Sequence, residues 1–242
     1  MTATILITRP EPAGSEFAAA LRTKLGKKCT VCTSPLMQIE VCANLPDLSN
    51  VGTLIFTSRN GVEAFAKLAD RRDIPAYAVG PATGDAARAI GLSVTEGEGD
   101  AERLIPQVIA DLPPRPCLHI RGEHVAAPLA KILSGAGIDT DEAILYHQRP
   151  VPLTPEAHRI LEREENVILP LFSPRSARLL FAQAHHANWR ARLTIVAISQ
   201  AAGNQVPERY LDGVVVAKAP NAEAMQQAVE QLCIKANRLE GR

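Results

Sequence analysis

The chain has 242 residues, of which 46% are hydrophobic and 21% charged, close to the average of globular proteins and unlike disordered or collagen-like chains. Its 26 basic residues balance its 26 acidic ones, which argues against a general nucleic-acid-binding protein, because such proteins usually carry a basic excess. Aromatic residues make up only 4%, so the chain offers little for stacking against bases.

Short apolar runs without polar alternation recur along the chain, and they predict strands that are buried on both faces. In chain order, these runs cover residues 4–7, 30–32, 53–56, 76–79, 117–120, 167–172, 193–198 and 213–216. A helix predicted around Phe17, Leu21 and Leu25 would end at Gly26. Further helical patterns cover 104–112 and 225–232. This alternation of strands and helices predicts parallel sheets covered by helices.

No apolar run approaches the roughly 18–20 residues that a membrane span requires. The N-terminus enters a predicted strand at once, without the basic segment and longer apolar stretch of a signal peptide. We therefore expect no membrane partner and a cytoplasmic location. The five cysteines, an odd number, are expected to be free thiols in a reducing compartment.

Four short segments recur in the same order in the second half of the chain, which indicates two similar α/β units. The pairs are LITRPE at 6–11 with LHIRGE at 118–123, FTSRNG at 56–61 with FSPRSA at 172–177, AVGPAT at 78–83 with AISQAA at 197–202, and GDAE at 99–102 with PNAE at 220–223. Their first residues are 112, 116, 119 and 121 positions apart, a slow drift that loop insertions would produce. Tandem domains, 1–117 and 118–242, are the simplest interpretation. The extended segments 37–41 and 143–151 suggest an alternative, in which they are two linkers lying side by side.

Small hydroxyl residues and arginines, without acids, follow several predicted strands where a helix would begin. In open α/β sheets, ligands bind at these carboxyl ends, and helix N-termini there favour anions. The turns are 8–10, 57–60, 80–83, 121–122 and 173–176. The same residues have plainer explanations, because the hydroxyl and amide side chains could merely cap helices and the arginines could be solvated surface charges.

Other motifs give weaker signals. Cys29 and Cys32 have CxxC spacing but fall in a predicted strand, where ordinary buried cysteines are the simpler interpretation. His185 and His186 could bind a metal, although an exposed helix end or loop explains them as well. His119 is interpreted as a hydrogen-bonded strand residue. We find no dinucleotide fingerprint, P-loop or GxSxG motif.

Taken in order, the motifs resemble the uroporphyrinogen-III synthase family. They are ITRP at 7–10, IFTSRNGV at 55–62, AVGPAT at 78–83, IRG at 120–122, LY at 145–146 and LFSPRSA at 171–177. The resemblance implies an α/β fold of two flavodoxin-like parallel-sheet domains joined by a two-stranded hinge. It implies one domain of residues 1–36 plus 151–242, a second of 40–145, and linker strands 37–41 and 143–151.

The resemblance also implies a monomeric lyase of tetrapyrrole biosynthesis, supplying haem, sirohaem, cobalamin or chlorophyll, with no metal and no organic cofactor expected. Its substrate would be hydroxymethylbilane, a linear tetrapyrrole with eight carboxylates. The enzyme would remove water from the terminal hydroxymethyl group, invert the last pyrrole ring through a spiro intermediate and close the macrocycle. Holding one conformer of such a flexible anion is mainly an entropic task, which suits backbone amides and hydroxyl groups on two hinged domains.

Carried over by motif, the family's substrate-binding residues fall on Ser58, Thr83 and Ser173, and its linker tyrosine on Tyr146, which we expect to act as the catalytic acid. An additional set of expected substrate-binding residues comprises Arg9, Asn60, Arg121, Ser176 and Ser199. Ser199 lies in the segment 197–202, which departs from the family pattern because it lacks the threonine. A non-catalytic tetrapyrrole- or anion-binding homologue remains an alternative, as does a hydrolase or transferase that uses Ser58.

Overall fold

The computed structural model describes residues 3–124, 127–184 and 188–240. The strands are β1 Thr4–Ile7, β2 Thr30–Thr33, β3 Met37–Val41, β4 Thr53–Phe56, β5 Ala76–Ala78, β6 Val94–Glu96, β7 Cys117–Gly122, β8 Thr140–Pro150, β9 Asn166–Leu171, β10 Arg192–Ala197 and β11 Val214–Val216. The α-helices are α1 Ala13–Leu25, α2 Arg59–Leu68, α3 Pro81–Ala89, α4 Ala101–Asp111, α5 Leu129–Gly135, α6 Pro155–Glu162, α7 Pro174–Ala184, α8 Gln200–Gly203 and α9 Ala222–Glu240. As predicted, Gly26 ends α1, with a φ of 56° that glycine adopts readily.

The chain divides into two compact units. Unit 1 comprises the residues up to Gln38 together with those from Arg149 onward, and unit 2 comprises Ile39–Gln148. These boundaries do not follow the tandem division at residue 117. The chain crosses them within β3 and near the end of β8, which are neighbours in one sheet.

Unit 1 is built on a five-stranded sheet in the order β11-β10-β9-β1-β2, with parallel pairing throughout. Both faces are buried, which explains the unbroken apolar runs of its central strands. Helices α1 and α9 cover one face through side chains such as Phe17 and Met225. Helices α6 and α7 cover the other through Leu161 and Leu180.

Unit 2 is built on a six-stranded sheet in the order β3-β8-β7-β4-β5-β6. The pairs from β8 to β6 are parallel. Helices α2 and α3 cover one face, where Phe65 and Ala87 pack against Phe56. Helices α4 and α5 cover the other, where Leu104 and Leu129 pack together. The prediction of two parallel α/β sheets is thus confirmed.

The two sheets share one strand order, although the chain enters them at different points. The order β6-β5-β4-β7-β8 in unit 2 can be aligned with the order β11-β10-β9-β1-β2 in unit 1. This alignment matches the strands whose sequence segments are repeated. For example, the first repeat begins at Leu6 on β1 and at Leu118 on β7. The third repeat begins at the last residues of β5 and β10, Ala78 and Ala197. The units are therefore circular permutations of one topology. Because of this permutation, four ordered repeats do not correspond to two tandem domains.

The expectation of five free thiols is wrong for two of them. Cys29 and Cys233 form a disulfide, with Cα atoms 6.6 Å apart. Cys29 precedes β2 and Cys233 lies on α9, and both belong to the core cluster in which α1 and α9 cover the same sheet face. Cys32, Cys42 and Cys117 are free. Cys29 and Cys32 therefore do not form a CxxC pair, because Cys29 is bonded to Cys233 and Cys32 is free.

The described parts of the chain contain no helix that is both long and apolar enough to cross a membrane. Within the same residues, no group of three or more histidine, cysteine, aspartate or glutamate side chains is arranged to hold a metal ion. His185 and His186, the metal candidate from the sequence, lie outside the described residues.

Candidate functional site

The carboxyl edge of the unit 2 sheet, where β4, β5 and β7 end, carries the polar residues predicted for this unit. Parallel strands end at the same edge, so the turns after Phe56, Ala78 and Gly122 lie at one side of the sheet. Tyr146 lies there too, because it pairs with Gly122 across an irregularity in the β7–β8 register. The topology thus brings Ser58 and Tyr146 together although they are 88 positions apart in the sequence.

Tyr146 is almost fully buried, with 5% of its surface exposed. Its ring lies directly on Gly122, since a Cβ atom there would be only 2.6 Å from the Cε2 and Cζ atoms of the ring. Burial raises the pKa of the phenol, while hydrogen bonds with the Ser58 side chain and the Gly122 backbone oppose that rise. The phenol therefore keeps its proton at neutral pH and has fixed partners, as a positioned weak acid requires.

Ser58 is the N-cap of α2, and its hydroxyl accepts a hydrogen bond from the Asn60 N–H at 3.2 Å. The capping explanation therefore applies to Ser58, but the same side chain also bonds Tyr146. Asn60 contributes its backbone to this cap. The capping explanation does not apply to Thr83, because Gly80 is the N-cap of α3. Thr83 lies buried in the first turn of that helix.

The carboxyl edge of the unit 1 sheet carries three of the predicted serines at helix starts. Ser173 accepts a hydrogen bond from the Ser176 N–H at 3.0 Å, and the two hydroxyl oxygens are 2.9 Å apart. Ser199 caps α8 by accepting from the Ala202 N–H at 3.3 Å. Capping thus explains Ser173 and Ser199, whereas Ser176 is a buried partner of the cap.

Ser173→Ala is expected to lower the free energy of unfolding by about 1 kcal/mol, because the first turn of α7 loses its cap. Urea unfolding at neutral pH measures the change. Ser173→Asp is the matched control, because aspartate can cap the same N–H group and should restore most of the loss. Equal losses in both variants would contradict a capping role.

Arg9 lies just after β1, and its guanidinium carbon is 4.4 Å from the centre of the Phe172 ring, which follows the neighbouring strand β9. This cation–π contact fixes a positive charge at the carboxyl edge of unit 1. The start of α1 nearby is different, since the Glu11 carboxylate accepts a hydrogen bond from the Ser15 N–H at 3.0 Å. A protein carboxylate therefore occupies that helix start.

Arg121 is held within its own unit by hydrogen bonds of its two Nη atoms, whereas its buried Nε has no hydrogen-bond partner. Its Nη2 lies 2.8 Å from Oε2 of Glu142, and its Nη1 donates to the carbonyl oxygens of Gly122 and Glu123 at 3.0 and 3.3 Å. The predicted turns themselves contain no acid, but Glu11 and Glu142 bring carboxylates to two of them from outside. Glu142 could not be found from local sequence, because it meets Arg121 only through the pairing of β7 with β8.

His119, interpreted from the sequence as a hydrogen-bonded strand residue, is buried on β7. Its Nε2 lies 3.1 Å from the Thr57 hydroxyl, and its Nδ1 lies 3.6 Å from Oε1 of Glu142, too far for a hydrogen bond. Burial lowers the pKa of His119 to about 4, with a smaller lowering by Arg121 and an opposing effect of Glu142. The imidazole is therefore neutral at neutral pH.

These features define a class: a two-unit α/β protein whose parallel sheets present hydroxyl groups, helix starts, an arginine and a buried phenol at their carboxyl edges. Among known families, the model described as Uroporphyrinogen-III synthase HemD matches residues 15–227. The chain belongs to the uroporphyrinogen-III synthase family, and it is a cyclising lyase of tetrapyrrole biosynthesis. The resemblance seen in the sequence is thereby confirmed.

Solved structures agree on the fold. A crystal structure of uroporphyrinogen-III synthetase from Helicobacter pylori is 19% identical and aligns over 96% of this chain and 100% of its own, with a TM-score of 0.67. A mutant uroporphyrinogen III synthase from Thermus thermophilus is 15% identical and aligns over 97% and 99%, with a TM-score of 0.54. No curated protein matches the chain.

Proposed function

We propose that the phenol of Tyr146 is the general acid for the cyclisation of hydroxymethylbilane. The observation that carries this proposal is the buried phenol, bonded to Ser58 and to the Gly122 backbone at the carboxyl edge of unit 2. The proton moves from Tyr146 to the terminal hydroxyl of the substrate, the carbon–oxygen bond breaks and water leaves. The proton that ring closure later releases returns to the phenolate, so the residue is regenerated.

A weak acid suffices for this step, because the pyrrole nitrogen supplies electrons as the hydroxyl leaves. An acid with a raised pKa stays protonated until it transfers its proton to the leaving oxygen. Burial of Tyr146 also restricts water near the reactive cation, which water would otherwise trap.

The substrate carboxylates are proposed to bind at the strand edges of the units. Unit 2 would supply Ser58, Asn60 and Thr83 at the starts of α2 and α3. Unit 1 would supply Arg9, together with the serines at the starts of α7 and α8, Ser173, Ser176 and Ser199. Free N–H groups at helix starts and hydroxyl donors suit carboxylates without requiring a strong cation at each one. The monomeric state and the cytoplasmic location stay predictions.

Product analysis tests the cyclising activity on which the proposal depends. Freshly generated hydroxymethylbilane is supplied, and the oxidised products are separated by isomer. A type-III excess is expected. Type-I isomer alone, at the uncatalysed rate, would support the non-catalytic binding homologue instead. A Ser58-dependent hydrolase has no support in the structure, because the hydroxyl of Ser58 bonds Tyr146 and the Asn60 N–H, neither of which is a general base.

Tyr146→Phe is expected to lower kcat by roughly 10- to 100-fold, because the leaving hydroxyl loses its proton donor, while KM changes little. Tyr77→Phe is the matched control, since Tyr77 is also buried but its hydroxyl donates to Asp111 on α4. Steady-state kinetics with isomer analysis measure both variants. Equal losses in kcat and in substrate affinity for Tyr146→Phe would mean that Tyr146 only holds the substrate.

A further inference from the structure

We propose that four residues beneath the strand edge of unit 2 position the phenol of Tyr146 through the backbone. They are Thr57, His119, Arg121 and Glu142, called here the positioning network. The proposal rests on the proposed role of Tyr146 and deepens it. It makes Arg121 a positioning residue for Tyr146 and not a ligand of the substrate.

The position of the network relative to Tyr146 shows why it must act through the backbone. Side chains alternate between the two faces of a strand. On β7, Leu118 and Ile120 pack in the cluster that contains Tyr146. His119 and Arg121 therefore point to the opposite face, where α4 and α5 pack. The network reaches the phenol only through the two turns that hold its hydrogen-bond partners.

The first of these turns follows β7. Arg121 donates to the carbonyl oxygens of Gly122 and Glu123, and Glu142 fixes its guanidinium from the neighbouring strand. Gly122 is the residue on which the Tyr146 ring lies and whose backbone bonds its hydroxyl. The β7–β8 register is irregular between Arg121 and Gly122, but the Glu123 N–H still donates to the Tyr146 carbonyl oxygen at 3.1 Å. The guanidinium adds two hydrogen bonds to the carbonyl oxygens of the same turn.

The second turn follows β4. His119 is 1% exposed, and its neutral ring hydrogen-bonds the Thr57 hydroxyl. The next residue, Ser58, bonds the phenol. Glu142 faces both His119 and Arg121, at 3.6 and 2.8 Å, and thus connects the two turns. Both hydrogen-bond partners of Tyr146 are therefore each one residue from a side chain of the network.

Three variants of the positioning network test the proposal: Arg121→Gln, Thr57→Val and Glu142→Gln. The control is Arg71→Gln, because Arg71 likewise pairs with a carboxylate, Asp73, and donates to a backbone carbonyl, that of Leu48, within the same unit. Each protein is prepared with 13C at Cζ of its three tyrosines, and the Tyr146 resonance is assigned from its loss in Tyr146→Phe. Steady-state kcat and KM are measured alongside the spectra.

The three network variants are expected to shift the Tyr146 resonance, leave those of Tyr77 and Tyr210 in place, and lower kcat about 10-fold or more at nearly constant KM. In a Tyr146→Phe background, Arg121→Gln should lower kcat no further, because its effect passes through the phenol. Arg71→Gln should match the wild type in kcat and in the Tyr146 resonance.

Two results would overturn the proposal. An unmoved Tyr146 resonance with an unchanged kcat would show that the network does not position the phenol. A higher KM with an unmoved resonance would show that Arg121 binds the substrate directly. If one variant does not fold, the remaining two decide between these outcomes. Full activity of Tyr146→Phe would instead refute the acid role of Tyr146, and the resonances would still decide whether the network positions its side chain.

Discussion

Gly122→Ala is expected to lower kcat about 100-fold and the free energy of unfolding by about 2 kcal/mol. The new methyl group would lie 2.6 Å from the Cε2 and Cζ atoms of Tyr146. The ring cannot swing into solvent, because it is buried in a core cluster with Phe56, Phe65 and Ile120. It must move within that core, and its hydroxyl then leaves Ser58. Kinetics with isomer analysis and urea unfolding measure both losses.

Gly135→Ala is the matched control, since Gly135 ends α5 in the same unit and a Cβ atom there would meet nothing within 4 Å. Stability should stay the same or rise slightly. Adding Tyr146→Leu to Gly122→Ala should recover stability but not activity, because the smaller side chain relieves the overlap. A fully active Gly122→Ala enzyme would contradict the tight contact between Gly122 and the Tyr146 ring.

The protein is expected to lose about 3 kcal/mol of stability between pH 7 and pH 4 through His119 alone. In the unfolded chain, His119 takes up a proton near pH 6.5, whereas in the folded state burial lowers its pKa to about 4. Between these values the unfolded state binds more protons, so the free energy of unfolding falls as the pH falls. Below pH 4 this contribution is lost in full, and above pH 7 it is fully present.

His119→Gln removes the titrating group, so its free energy of unfolding should depend less steeply on pH between 6.5 and 4. Urea unfolding followed by circular dichroism at several pH values measures the slope. Glu142→Gln should act in the opposite direction, because Glu142 opposes the lowering of the His119 pKa. The pKa of folded His119 should then fall further, so the loss of stability should extend to lower pH. Equal slopes in the wild type and His119→Gln would show that His119 takes up no extra proton on unfolding.

Most of the fold could be predicted from the sequence, because strands buried on both faces leave unbroken apolar runs. Residues 4–7 and 53–56 coincide with β1 and β4. The strand β6 was missed because its three residues, Val94–Glu96, lie at the sheet edge and are partly exposed, so they carry no apolar run. The pairing of Cys29 with Cys233 was missed as well, because it depends on the packing of α1 beside α9.

The candidate site could be predicted only in part from the sequence. Ser58 and Ser173 could be placed at helix starts, because a serine between a strand and a helix is a local pattern. The partners of Arg121 and His119 could not, since they depend on the register that sets Glu142 beside β7. Gly122 belonged to a predicted turn, but its contact with Tyr146 could not be predicted, because that ring is 24 positions further along the chain.

The permuted strand order sets a sequence of events on the ribosome. Unit 2 is complete once Gln148 has emerged, when unit 1 still has only β1 and β2 of its five strands. At about 5–20 residues per second, β9 to β11 need roughly 3 to 14 s more to appear. During that interval the apolar residues of β1, which are fully buried in the finished protein, have no central strand to pair with. We therefore expect unit 2 to fold first, while nascent unit 1 still exposes the apolar residues of β1.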